Sequence, residues 1–123
     1  MSENINEIYD EGNIKISDEV ICTIAAIAVS EVDGAEVSGN AITDIVEKFS
    51  KKNYSKGIKI TRGEIFVIDI NITVEFGTKI QDIAHTIQAN VKKNVELMSG
   101  IVVDKVNIHV NGIVQSDSDN NAE

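Results

Sequence analysis

The sequence predicts one α/β (α+β) domain, a two-layer sandwich with a mixed or antiparallel sheet and helices on one face. Three observations predict it. Phe66, Ile68, Ile70, Ile72, Val74 and Phe76 alternate with Asp69, Asn71, Thr73 and Glu75, a strand-like period of two. Two other stretches, around Val20–Val32 and Ile80–Met98, repeat apolar residues at spacings of three and four, as helices do. The periods follow one another as β-α-β-(α)-β-β-α-β, and strands with one apolar and one polar face need cover on a single side.

In chain order, Asn13–Ile16 alternates and reads as a short strand. Ser17 can cap the following helix, with Asp18 and Glu19 in the first turn, where the helix dipole favours anions. Val20, Ile21, Ile24, Ala25, Ile27, Ala28 and Val32 cover a broad arc of that helix. Glu19, Thr23 and Ser30 leave it only a narrow polar stripe, so it is expected to be mostly buried. Asp33-Gly34 should end it. Ala35–Ser38 reads as a strand and Ile42–Ser50 as a short helix. The loop KKNYSKG then leads to a strand at Ile58–Thr61, joined through a turn at Arg62-Gly63-Glu64 to the long alternating strand.

After Gly77, the run Thr78-Lys79-Ile80-Gln81 fits a capping box. Ile80, Ile83, Ala84, Ile87, Val91, Val95 and Met98 form the apolar stripe of the helix it opens, and Gly100 stands where a helix stop belongs. In the last strand Val106, Ile108 and Val110 alternate with Lys105, Asn107 and His109.

Length and composition agree with one domain: 123 residues, 42% of them hydrophobic, suffice for a core. The formal net charge of −9 is concentrated at the ends, where residues 1–12 and 115–123 carry seven acidic residues and no base. Both ends are expected to be disordered acidic tails around a domain at 13–114, with Ile5 and Ile8 allowing a short helical turn. No apolar run approaches the roughly 18 residues needed to span a bilayer, and the acidic N-terminus does not read as a signal peptide. A single cysteine, Cys22, excludes an internal disulfide and suits a reducing cytoplasm.

The residues offer little chemistry. Nucleophile-elbow, zinc-protease, C-x-x-C and nucleotide-loop motifs are missing. No catalytic, cofactor-binding or metal-binding residue is expected. His85 falls on the polar side of its helix, His109 on the polar face of its strand, and Cys22 at the edge of an apolar arc, where a buried thiol is expected. Asp117-Ser118-Asp119 begins like a calcium loop, but Ala122 stands where the loop needs glycine. Nucleic acid is not an expected partner, because the polar strand face has no aromatic residue on which bases could stack. Lys48, Lys51, Lys52, Lys56, Lys59 and Arg62 cluster in one short stretch. Within it Lys48, Lys51, Lys52, Tyr54 and Lys56 are candidates for docking an anionic protein or lipid surface. The alternative surface is the polar sheet face, with Asn71, Thr73, Asn107 and His109, which could hold a small ligand.

Taken together, ISDEVICTIAAIAVSEVDGAEVSG, KKNYSKGIKI and the run from Val74 to Val114 resemble the alkaline shock protein family, the envelope stress response family of Gram-positive bacteria. The resemblance covers about Gly12 to Val114. It includes Met98-Ser99-Gly100, Val103, Val106-Asn107 and Val110 at the family's spacing. It implies a small cytoplasmic protein without known catalytic activity, associated with cell-envelope stress and acting through protein partners. Some relatives are held at the membrane by a separate anchor protein and self-associate, so membrane contact would be indirect. Others are connected with fatty-acid synthesis through acetyl-CoA carboxylase.

Overall fold

The computed structural model describes residues 11–39 and 57–115. Helix α1 (Asp18–Ser30) begins where Ser17 accepts a hydrogen bond from the Val20 amide through its side chain, at 3.3 Å. It stops two residues short of Val32, with Glu31 as its C-cap. Strands β1 (Ala35–Val37), β2 (Ile58–Arg62) and β3 (Phe66–Glu75), helix α2 (Ile80–Ser99) and strand β4 (Lys105–Val114) follow. Gly100 ends α2 in the left-handed region, at φ 78°, as its place in the sequence requires.

β3 is the central strand. β2 pairs antiparallel with its first half, Phe66 to Ile70, and β1 pairs antiparallel with Ile72 to Val74. β4 runs parallel to β3 along the other edge, from Val67 to Glu75. The sheet is therefore mixed, and β1 and β2 share one edge of β3 end to end. A parallel neighbour must be reached by a crossover, and α2 supplies it. Its 20 residues rise about 30 Å, close to the span of the 10-residue β3 that it has to retrace. Asp104 fixes the return: its carboxylate accepts the Phe66 amide at 2.7 Å, and its own amide donates to the Phe66 carbonyl at 2.9 Å.

Burial alternates along β3 as the sequence requires. Phe66, Ile68, Ile70, Ile72 and Val74 are buried, and Val67, Asp69, Asn71 and Thr73 are not. The buried side faces Ile21, Ala25, Ala28 and Val29 of α1 and Ile87, Val91 and Val95 of α2, closed by Val103 and Val106. Both helices lie on that one side. Small residues on α1 let α2 approach: Asn90 of α2 donates to the Ala28 carbonyl at 2.8 Å.

Several expectations need correction. Asn13–Ile16 is not a strand and pairs with none of the four described strands. Arg62 pins the segment instead, bonding the Ile16 carbonyl at 3.1 Å and Asp18 at 2.8 Å. The capping box does not form: Thr78 closes the turn after β3 by donating to the Glu75 carbonyl, and Lys79 takes the N-cap position without a side-chain bond. Phe76 lies beyond the strand end and is exposed, so it is not part of the inner face. The Ile42–Ser50 helix lies outside the described residues, as do residues 1–10 and 116–123 of the two tails.

Gly57 stands where β1 and β2 meet. A Cβ there would run into Val37 Cγ1 and the Ser38 carbonyl, whereas one at Gly63, in the turn between β2 and β3, would meet nothing within 4 Å. Gly57→Ala should therefore lower the urea midpoint clearly and Gly63→Ala hardly at all; equal effects would contradict the close approach. Ile70→Ala should cost about 2–5 kcal/mol through lost burial and a cavity. Asn71→Ala, one place along on the other face, should cost far less in the same unfolding measurement.

Candidate functional site

The unburied side of β3 and the facing side of β4 form a polar surface. The register sets Asp69 opposite Asn107 and Asn71 opposite His109. One oxygen of Asp69 accepts from the Asn107 amide nitrogen at 3.0 Å and lies 3.2 Å from His109 Nε2. Lys59 of β2 stands opposite Asp69 on the other edge. The hydrogen bonds from Asn107 and His109, against a smaller effect of burial, hold the Asp69 carboxyl below its usual pKa. Between Ile72 and Thr73 the pairing slips by one residue, leaving Asn111 as the extra residue of a β-bulge. Asn111 donates to the side-chain oxygen of Asn71 at 3.1 Å, and the Thr73 and Ser38 hydroxyls lie 3.1 Å apart.

All four residues of the alternative surface, Asn71, Thr73, Asn107 and His109, are thus on one face, joined by Asp69, Asn111 and Ser38. Their polar groups are largely spent on one another, so the face acts as a cross-strand zipper. A ligand there would have to replace bonds already made. Asn111 was not legible in the period-two pattern because the bulge brings it into place.

Lys48, Lys51, Lys52, Tyr54 and Lys56 lie outside the described residues. Of the same basic stretch, Arg62 is tied to Asp18 and sits 5.4 Å over the Phe66 ring. His85 is exposed and lies 3.3 Å from Gln88. Cys22 is buried, and burial, with Asp18 and Glu19 adding to it, pushes its pKa up to about 11. It remains a thiol at neutral pH and is a poor nucleophile. Among the described residues no cluster of three His, Cys, Asp or Glu is placed to hold a metal ion.

A second surface escaped the sequence reading. Val20 and Ile27 belong to the apolar arc of α1, yet they are 48% and 51% exposed, and Met98 of α2 is 66% exposed. The arc is wider than the sheet and α2 together can cover. Val20, Ile24, Ile27 and Ala28 of α1, with Asn94 and Met98 of α2, line an open groove of about 670 Å³. Glu19 and Glu31 also line it. The only legible signal was the width of the arc.

Comparison with known proteins gives a consistent affiliation. Residues 6–115 match the alkaline shock protein family, described as having a cell envelope-related function. The chain is similar to the uncharacterized protein YqhY of Bacillus subtilis, with 40% identity over 104 residues, 83% of this chain and 77% of that one. It is similar to YloU of the same organism, with 41% identity over 106 residues, 83% and 88% of the two chains. It is also similar to Spy1614 of Streptococcus pyogenes, with 32% identity over 107 residues, 84% and 88%. No solved structure matches.

Asp69 provides a pH test of the polar face. A carboxyl with a lowered folded pKa stabilises the fold above its unfolded pKa of about 4, and that contribution fades as the pH falls through the folded value. The stability advantage of the wild type over Asp69→Asn should therefore shrink between about pH 5 and about pH 3 in urea unfolding. An advantage constant over that range would mean that Asn107 and His109 do not favour the ionised carboxylate.

Proposed function

This chain belongs to the alkaline shock protein family, and from that premise we propose that it is a non-enzymatic, cytoplasmic interaction protein of the cell envelope, recruited to the membrane by an anchor partner. The family's envelope-related description supports the setting. The observation that carries the mode of action is the groove, where Ile27 of α1 and Met98 of α2 stand half or more exposed beside Val20. Apolar side chains grouped at a surface and rimmed by polar residues are candidate contact sites. No helix among the described residues is long and apolar enough to cross a membrane, and this reading assigns membrane attachment to the partner.

Lys48, Lys51, Lys52 and Lys56, with Tyr54 among them, are the proposed contact to the anionic surface at which such a partner sits. Each lysine near an anionic membrane contributes on the order of 1 kcal/mol. The attraction weakens with salt, because the screening length is about 8 Å at physiological ionic strength. Changing all four lysines to glutamate should release the protein from the envelope fraction of its host while leaving its melting temperature intact. Wild-type release should rise with salt. Retention of the reversed variant, or salt-insensitive retention of the wild type, would remove the basic stretch from the contact and shift attention to Asn71, Thr73, Asn107 and His109.

A further inference from the structure

We propose that the groove between α1 and the C-terminal half of α2 receives a basic amphipathic helix of a protein partner. Val20, Ile24 and Ile27 lie four and three residues apart, so they form a single stripe along α1, about 10 Å from first to last. Met98 closes the other wall with a flexible side chain that adapts to what lies against it. Ala28 keeps the floor low between them. Glu19 and Glu31 stand at the two ends of the stripe, 12 residues and hence about 18 Å apart along the helix. Glu31 is held in place by the side chain of Asn90, which donates to it at 3.0 Å. Among the described residues no lysine or arginine lines the groove.

An apolar trough about two turns long with a carboxylate beyond each end selects its occupant. A helix with apolar residues at i, i+3 or i+4, and i+7 fills the stripe. Lysine or arginine within about a turn of each end of that stripe meets Glu19 and Glu31. A second copy of this chain fits poorly, since two facing grooves would bring four carboxylates of like sign together on a chain of net charge −9. An anionic lipid surface would be repelled by the same two groups.

The inference rests on the reading of the protein as an interaction partner, and its test is independent of recruitment in the host. The probe is a fluorescein-labelled, stapled helical peptide with leucines at i, i+3, i+4 and i+7 and two lysines beyond each end, compared with the same peptide carrying glutamates at its ends. Anisotropy titration of the full chain should show clear preference for the lysine peptide. Ile27→Asp, at a half-exposed position, should weaken that binding roughly tenfold or more, and Met98→Asp should do likewise if Ile27→Asp fails to fold. Glu19→Lys with Glu31→Lys should invert the preference between the two peptides. Glu36→Lys with Glu75→Lys, the same charge change at residues that line a different cleft, should leave binding within roughly twofold of the wild type. An uninverted preference in the first pair, or an equal loss in the second, would show attraction to net charge and overturn the groove. Such a result with envelope recruitment intact would leave the interaction reading standing; specific peptide binding with recruitment absent would overturn that reading and not the groove.

Discussion

β3 is bonded along both edges and buried on one face, and the remaining elements are arranged by what that strand needs. Its fully buried isoleucines, Ile68, Ile70 and Ile72, require two helices above them. Its parallel edge requires a crossover as long as the strand itself, which sets the length of α2. Its antiparallel edge is divided between β2 and β1, and the junction admits no side chain at Gly57. Asp104 then locks the start of β4 to the start of β3 through two backbone-directed bonds.

The opposite face follows from the same strand by the alternation of the pleat. Asp69, Asn71 and Thr73 cannot reach the core, and they find partners on β4 and beside β1. The bulge at Asn111 adds one member to that array and re-aims the end of β4. Such an array stabilises a particular register, since a one-residue slip would exchange the polar and apolar faces. Its polar groups are aimed at each other, so the face serves the sheet before it serves any ligand.

The helical layer is different in kind. α1 carries more apolar surface than one sheet and one neighbouring helix can cover, and the excess emerges at Val20 and Ile27 beside Met98. Burial of that surface would be favourable, at roughly 25 cal/mol per Å² removed from water. Glu19 and Glu31 restrict what can bury it. Nonspecific association between copies is opposed by charge, while a helix bearing the opposite charge is admitted. An acidic protein can thereby carry a proposed apolar contact surface on its helices alongside the proposed basic contact at 48–56.

The phase of β3, the apolar stripe of α2, the stop at Gly100 and the cap at Ser17 were all determined by the sequence alone, because each depends on residues a few places apart. The resemblance to an envelope-related family was also legible there, in short motifs at fixed spacing. Tertiary structure decided what depends on competition between distant segments. Asn13–Ile16 has a strand's alternation but joins none of the described strands, and Arg62 at the end of β2 instead holds it as the lead-in to α1 by bonding the Ile16 carbonyl and Asp18. Val20, Ile27 and Met98 have core-like periodicity but stand outside the core, because the area that a sheet and a second helix can cover is a property of their packing. Periodicity states which residues share a face; only the assembled layers determine how much of that face is covered, and the groove is the part they leave open.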